Sequence, residues 1–138
     1  MGHETVQGAM TSNPTAITPD TTAQEAAQLM KSGDIGALPI IEDGRLTAVV
    51  TDRDLAIRAI AEGRGAETPV RDLASKDLVT IDPQQSLEEA ARLMAEHQLR
   101  RLPVCEEDGK LVGMLAQADV AQHAKDALTG ETVQRISQ

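Results

Sequence analysis

Apolar residues recur at helical spacing in two stretches of this chain. Positions 23, 26, 27 and 30 are apolar in the first stretch, and positions 87, 90, 91 and 94 are apolar in the second. The i, i+3, i+4, i+7 spacing gives each helix one apolar stripe to bury. We therefore predict two amphipathic helices, one in each half of the chain.

Polar residues at the start of each stripe fit a helix N-terminus. Thr22 with Glu25, and Ser86 with Glu89, have the spacing of a capping box. In that motif a hydroxyl accepts a hydrogen bond from the third amide, and a carboxylate accepts one from the cap amide. Gly33 is the expected stop of the first helix.

Two apolar runs around a turn follow each of these helices, and Asp-Gly between apolar runs predicts a β-hairpin. The second loop is one residue longer than the first. The predicted strands are Ala37–Ile41 and Arg45–Val50 around Glu42-Asp43-Gly44, then Arg101–Cys105 and Lys110–Leu115 around Glu106–Gly109. Short β-prone segments at 15–18 and 79–82 precede the helices, and further helices at about 52–62 and 117–127 close each unit.

The two halves are copies of one unit. Ile17-Thr18-Pro19 returns 64 residues later as Ile81-Asp82-Pro83, and Leu38-Pro39-Ile40 returns as Leu102-Pro103-Val104. The fold class is therefore α/β (α+β), with tandem β-α-β-β-α repeats. Since a unit this small buries little surface alone, we expect the copies to pack face to face with pseudo-twofold symmetry, share one core and leave two clefts. The expected boundaries are 6–63 for repeat 1, 64–69 for a linker, 70–127 for repeat 2 and 128–138 for a polar C-terminal tail.

The amino-acid composition argues against some classes of function. Thirteen basic and 22 acidic residues give a net charge of -9, and Phe, Tyr and Trp are absent. An acidic chain without aromatic rings is a poor binder of nucleic acid or anionic membranes. The sequence has one cysteine, Cys105, and no spacing typical of metal ligands. It also has no apolar run of membrane-spanning length and no signal-peptide pattern. We therefore expect a cytoplasmic protein without a metal.

The repeat resembles a pair of CBS domains, a Bateman module, over about residues 6–127. Ala48-Val49-Val50-Thr51-Asp52-Arg53-Asp54-Leu55 is similar to the family's Gly-aliphatic-aliphatic-Thr-x-x-Asp-Leu signature, with Ala48 in place of Gly. The second copy, Gly113-Met114-Leu115-Ala116-Gln117-Ala118-Asp119-Val120, keeps Gly and Asp but has Ala116 in place of Thr. Small stand-alone bacterial CBS-pair proteins of the hypoxic-response type are the most similar kind.

The resemblance implies that adenosine-containing ligands bind in the clefts between repeats. Asp54 would accept hydrogen bonds from ribose hydroxyls, and Thr51 would contact the ribose or a phosphate. The remaining residues implied for this cleft are apolar ones around the base, Val49, Leu78, Val79 and Leu99, and basic ones facing phosphates, Arg100 and Arg101.

A second cleft, predicted to bind more weakly, would contain Thr15, Gly36, Met114 and Asp119. It lacks a hydroxyl at position 116, and Gly36 stands where the other copy has Arg100. AMP, ADP, ATP and S-adenosylmethionine are the ligands that the resemblance implies.

Each of these residues also has a purely structural interpretation. Thr51 and Asp54 have the spacing of a helix cap, which needs no ligand. Arg100 and Arg101 point to opposite sides of a strand, so that one of them would be solvated. Arg53 and Arg58 are interpreted as surface helix residues, with a phosphate contact as the alternative for Arg53.

Three classes of function remain. The leading one is a non-enzymatic regulatory module that senses an adenosyl ligand and signals through an effector protein or through self-association. The alternative is a stress-related interaction protein with vestigial clefts. An enzyme is disfavoured because the sequence contains no nucleophile–base pair, P-loop or Gly-x-Gly-x-x-Gly motif. Family modules commonly pair through their helices, so we expect a homodimer. The stripes that contain Met30 and Met94 are interpreted as filling either the core or that interface.

Overall fold

A computed structural model describes residues 4–125 of the chain. The C-terminal tail predicted at 128–138 and the end of the last predicted helix lie outside these residues. In chain order the elements are α1 (Val6–Ala9), β1 (Thr11–Ser12), α2 (Ala23–Gly33), β2 (Ala37–Glu42), β3 (Arg45–Thr51), α3 (Asp52–Asp54), a π-helix (Leu55–Ile60), a 3₁₀ helix (Val70–Asp72), α4 (Leu87–His97), β4 (Arg101–Cys105), β5 (Leu111–Ala116) and a helix at 117–125.

Helix α2 begins as predicted and ends one residue later than expected. The Thr22 hydroxyl accepts from the Glu25 N–H, and the Glu25 carboxylate accepts from the Thr22 N–H. Gly33 is still helical, and Asp34 takes the left-handed cap conformation at φ 52°. The prediction of Gly33 as the stop was wrong because aspartate also tolerates this conformation, through local hydrogen bonding by its short side chain.

Helix α4 has half of the predicted capping box. The Ser86 hydroxyl accepts from the Glu89 N–H at 3.1 Å. The Glu89 carboxylate pairs with Arg92 instead of returning to the cap. One carboxylate therefore stabilises an ion pair on the helix surface in place of the second cap bond.

The helical stripes are narrower than the sequence predicts. Ala26 and Met30 are buried in α2, and Ala90 and Met94 are buried in α4. Ala27 and Ala91 are exposed. Of the two roles expected for Met30 and Met94, core or interface, the structure shows the core.

The first hairpin pairs β2 with β3 around Asp43-Gly44, and its register shifts between Ile40 and Ile41. Both turn residues have positive φ, 53° and 78°, as a two-residue hairpin turn of the primed type requires. The second hairpin belongs to a three-stranded sheet with the order β1-β5-β4. The predicted strands at 15–18 and 79–82 are reduced to single parallel bridges, Ile17 to Ile40 and Ile81 to Val104.

The closing helix of the first copy, residues 52–60, changes its hydrogen bonding after one turn. Asp52–Asp54 is α-helical, and Leu55–Ile60 is a π-helix. The Ala61 N–H donates to the Ala56 carbonyl, five residues back. Sequence periodicity predicted an ordinary helix to about residue 62. The second closing helix, 117–125, follows β5 directly.

The chain forms two compact units that do not coincide with its two repeats. The first unit contains Pro14–Leu78 and Asp108–Leu111, and the second contains residues 4–13, Val79–Glu107 and residues 112–125. The first residues of each repeat, its leading segment, thus belong to the unit of the other repeat: residues 6–13 to the second unit and residues 70–78 to the first. Val70 donates its N–H to Thr21, and Val6 donates to Gln85 in the equivalent bond.

Each unit has its own apolar core, so the expectation of one shared core was wrong. Leu38, Ile40 and Val50 form the first core with Val70 and Leu73, which the leading segment supplies. The second core contains Val6 with residues of β4, β5 and α4. Each core is completed by residues of a leading segment, and each unit therefore buries its apolar residues without a core shared by both units.

Strand β1 pairs antiparallel with β5, and Ser12 lies opposite Gly113. A Cβ on Gly113 would collide with the Met10 side chain and would lie 3.0 Å from the Thr11 carbonyl oxygen. In the first unit Ala74 stands in the position of Met10, and Ala48 stands in the position of Gly113, and both are buried in its core. Ala48, which replaces the family's glycine, is therefore accompanied by Ala74, which is smaller than the Met10 of the other unit.

Candidate functional site

The start of the first closing helix joins Thr51 and Asp54. The Asp54 N–H donates to the Thr51 hydroxyl at 3.1 Å, and the Thr51 N–H donates to Asp54 Oδ2 at 2.9 Å. Thr51 lies in extended backbone at φ -114°, as an N-cap requires. The capping interpretation of both residues is therefore confirmed, and any contact with a ligand comes in addition to it.

One oxygen of the Asp54 carboxylate keeps its acceptor capacity. Oδ1 lies 3.8 Å from Arg58 Nε, and the Asp54 side chain is 15% exposed. Within residues 4–125 no donor reaches Oδ1 at hydrogen-bond distance. Neighbouring hydroxyl groups are the kind of donor that a carboxylate oxygen in this position accepts.

Arg58 is a residue of this site whose role the sequence analysis missed. Its guanidinium contacts Asp54 and also donates to the carbonyls of Leu73 and Ala74, at 3.4 Å each. It connects the helix start to the leading segment of the other copy. The i, i+4 spacing from Asp54 signalled the ion pair, but the carbonyl contacts depend on tertiary structure.

The second copy has a weaker version of the same helix start. Asp119 Oδ2 accepts from the Ala116 N–H at 3.2 Å, and Ala116 has no hydroxyl to return a bond. His123 stands in the position of Arg58 and contacts Glu4 at 2.5 Å. This helix start therefore lacks both the threonine hydroxyl and the cation beside the carboxylate.

The apolar residues predicted around a base fall into two groups. Val49, Leu78 and Met114 are half-buried and belong to neither core. Val79 and Leu99 are also half-buried but pack against the core of the second unit. The two groups therefore differ in core contact, since the first group packs against neither core.

The predicted residues Gly36 and Arg100 occupy equivalent positions in the two copies. The Asp52 N–H donates to the Gly36 carbonyl at 2.9 Å, and the Gln117 N–H donates to the Arg100 carbonyl at 2.7 Å. Gly36 therefore lies beside the Thr51 helix start, and the Arg100 backbone lies beside the helix start that contains Asp119.

The remaining predicted site residues, Arg101 and Thr15, are exposed, as Arg100 is. Thr15 lies in the first unit, and Arg100 and Arg101 lie in the second unit.

The described part of the chain contains neither a metal-binding cluster nor a membrane-spanning helix. Among residues 4–125, no three His, Cys, Asp or Glu side chains converge as a metal site would need. No helix within that range is both long and apolar enough to cross a bilayer.

Comparison with known proteins gives matches over both copies. The CBS domain family model matches residues 6–60 and 70–126. The CBS domain-containing protein YhcV of Bacillus subtilis (strain 168) is 43% identical over 137 residues, covering 95% of this chain and 97% of YhcV.

Two solved structures have a similar fold. The crystal structure of Hypoxic Response Protein I with two coordinated zinc ions has a TM-score of 0.79 and 38% identity, over 87% of this chain and 98% of that one. CBSX2 in complex with AMP has a TM-score of 0.80 and 31% identity, over 88% and 97%. The duplicated unit, the Thr-x-x-Asp helix start and these matches agree, and the chain belongs to the CBS domain family as a CBS pair.

Proposed function

We propose that this chain is a non-enzymatic regulatory module that binds an adenine nucleotide or a related adenosyl compound at the Thr51–Asp54 helix start. The observation that carries the proposal is the open Oδ1 of Asp54, which has no hydrogen-bond donor among the described residues and belongs to a side chain that is 15% exposed. Two adjacent ribose hydroxyls satisfy such an oxygen with charge-assisted hydrogen bonds.

Unused apolar surface supports a site for a base in the same unit. Val49 and Leu78 are half-buried outside the core, and aliphatic side chains of this kind cover the faces of a purine. Val79 and Leu99 are proposed to contribute further apolar contacts. Arg100 and Arg101 are exposed cations that, as adjacent residues, point to opposite sides, and one of them is proposed to contact a phosphate. The bound AMP of CBSX2, a relative with the same fold, supports an adenosine-containing ligand.

The second site, with Thr15, Gly36, Met114 and Asp119, is proposed to bind the same class of ligand more weakly. Ala116 supplies no hydroxyl, and the Asp119 carboxylate has no arginine in the position of Arg58. Loss of these two polar groups lowers the affinity expected for a ribose phosphate.

Titration calorimetry tests the proposal directly. Nucleotide-free protein is titrated in turn with AMP, ADP, ATP and S-adenosylmethionine, and guanosine monophosphate serves as the control for the base. We expect saturable heat for at least one adenosyl ligand, with one site stronger than the other. Absence of heat and of any thermal shift at millimolar concentrations of all four ligands overturns the proposal.

A second candidate function is an interaction protein with vestigial ligand sites. The observation that favours it is the complete Thr51–Asp54 capping box, which explains both residues without a ligand. The two functions differ in the calorimetry, because a vestigial site gives no heat. For the ligand-binding module, we propose that the signal passes through an effector protein or through self-association of this chain as a homodimer.

A further inference from the structure

The Arg58 guanidinium lies between two sets of acceptors in the first unit. On one side, its Nε stands 3.8 Å from Asp54 Oδ1. On the other side, its Nη1 donates to the carbonyls of Leu73 and Ala74 at 3.4 Å each. All three distances exceed the ~2.9 Å of a typical hydrogen bond. Since the Arg58 side chain is 52% exposed, it has room to move closer to either set.

Asp54 Oδ1 is open only while Arg58 stays back. A carboxylate oxygen has about two acceptor positions, and the two ribose hydroxyls proposed for the ligand need both. An approach of about 1 Å would turn the ion pair into a charge-assisted hydrogen bond, and the i, i+4 spacing favours that pair. Arg58 would then occupy a position on Oδ1 that the ligand requires.

The carbonyls of Leu73 and Ala74 hold the guanidinium back. Both residues belong to the leading segment 70–78, which contributes Val70 and Leu73 to the first core. The N–H groups of Leu73 and Ala74 both donate to the Val70 carbonyl at 2.9 Å, so the two carbonyls are fixed within one turn. The position of Arg58 therefore depends on whether this segment is packed on the first core.

The second unit provides an internal comparison. His123 stands in the position of Arg58 and pairs with Glu4. Asp119, the equivalent of Asp54, makes no ion pair within residues 4–125. Because the second unit folds without a cation beside this carboxylate, the repeated fold does not require Arg58 in its position.

We infer that Arg58 is a positioning residue that links the proposed ligand site to the packing of the leading segment 70–78. While Leu73 and Ala74 hold its guanidinium, Asp54 Oδ1 is open to the ligand. When the segment releases it, Arg58 bonds to Oδ1 and competes with the ligand. Ligand binding and segment packing therefore favour each other. The inference rests on the proposed function and adds a means of regulating that site.

Amide hydrogen exchange tests the link at Leu73 and Ala74, which are not proposed as ligand contacts. Saturating AMP should slow the exchange of both amides roughly fivefold or more in the wild type, because the ligand keeps Arg58 on the carbonyls. Arg58→Ala should still bind AMP in calorimetry, since it removes a competitor for Oδ1, but AMP should no longer slow the exchange. Loss of AMP binding in Arg58→Ala, or slowing that persists in it, overturns the inference.

Arg64→Ala is the matched control. Arg64 donates to the Asp72 carbonyl at 3.3 Å, next to the carbonyls that Arg58 contacts, and it makes no hydrogen bond or ion pair with Asp54. This variant should speed exchange in the same turn without ligand and keep the slowing by AMP. If both variants lose the effect of AMP, Arg58 is a structural contact only and the inference is overturned. Unchanged circular dichroism will show that each variant is folded.

A mutant cycle without ligand separates this inference from the proposed function. Asp54→Asn removes the carboxylate charge that attracts Arg58, and it is made in the wild type and in Arg58→Ala. Any change in the helix cap is common to both backgrounds, so the difference between them reports on Arg58. Relative to Arg58→Ala, the background with Arg58 should show slower exchange at Leu73 and Ala74 on Asp54→Asn. Equal effects overturn the inference, whereas absence of heat with all four adenosyl ligands overturns the proposed function.

Discussion

Thr51 and Asp54 hold each other through a reciprocal pair of hydrogen bonds at the start of the first closing helix. The Thr51 hydroxyl accepts from the Asp54 N–H, and Asp54 Oδ2 accepts from the Thr51 N–H. The second carboxylate oxygen is directed away from this pair, near Arg58. The cap thus fixes the orientation of the carboxylate, and for the proposed ligand this would lower the entropic cost of binding.

Replacing Thr51 by alanine should lower the free energy of unfolding by ~1 kcal/mol, the usual cost of a lost hydroxyl cap. Thr22→Ala is the matched control, because Thr22 makes the same two capping bonds with Glu25. Urea denaturation of both variants should give losses of similar size. A loss in Thr51→Ala near zero would contradict the capping geometry.

The same pair of variants separates capping from ligand contact. If Thr51 contacts the ligand, Thr51→Ala should weaken adenosyl binding in calorimetry, whereas Thr22→Ala should bind as the wild type does. Equal affinities in both variants would leave Thr51 as a cap alone and remove it from the proposed site.

Gly113→Ala should destabilise the protein by ~1–3 kcal/mol, the cost of an overpacked core position. The new methyl group would collide with Met10 and press on the Thr11 carbonyl. Thermal or urea unfolding measures the loss. The compensating variant Met10→Ala/Gly113→Ala reproduces the Ala74 and Ala48 combination of the first unit. It should therefore be more stable than the sum of the two single losses predicts, and strict additivity would count against this packing.

Arg58→Ala should lower stability by ~0.5–1.5 kcal/mol, because the Leu73 and Ala74 carbonyls lose a hydrogen-bond donor. Lys76→Ala is the control, since it removes an exposed cation whose side chain makes no hydrogen bond or ion pair in the described structure. Urea unfolding should show little change for Lys76→Ala. Hydrogen exchange should rise around residues 70–75 in Arg58→Ala alone.

Acid should weaken the α2 cap through Glu25. Hydrogen bonds from the Thr22 backbone N–H, and then from its hydroxyl, hold the pKa of Glu25 below its ordinary value of 4.5. Because the folded-state pKa is the lower one, this stabilisation is present above pH 4.5 and is lost as the pH falls below it. The stability difference between wild type and Glu25→Gln, measured in urea, should therefore shrink from neutral pH to pH ~3. A difference that does not change with pH would contradict this.

Local patterns predicted the elements whose signals lie within a few residues. The Thr22–Glu25 cap, the Asp43-Gly44 turn and the Thr51–Asp54 helix start form as the sequence indicates. Each depends on side chains that reach only their own backbone neighbourhood. The π-helix at Leu55–Ile60 was not predicted, because the apolar spacing there does not distinguish it from an α-helix.

The sequence by itself determined the duplication, the family and the residues proposed for ligand binding. Only the tertiary structure decided that the leading segment of each repeat completes the unit of the other repeat, as Val6 and Val70 do. It also decided that Arg58 reaches Leu73 and Ala74, and that Ile57 and Ile60 stay exposed. The reason is physical: these outcomes depend on contacts between residues far apart in the chain, whereas periodicity and capping report only on neighbours.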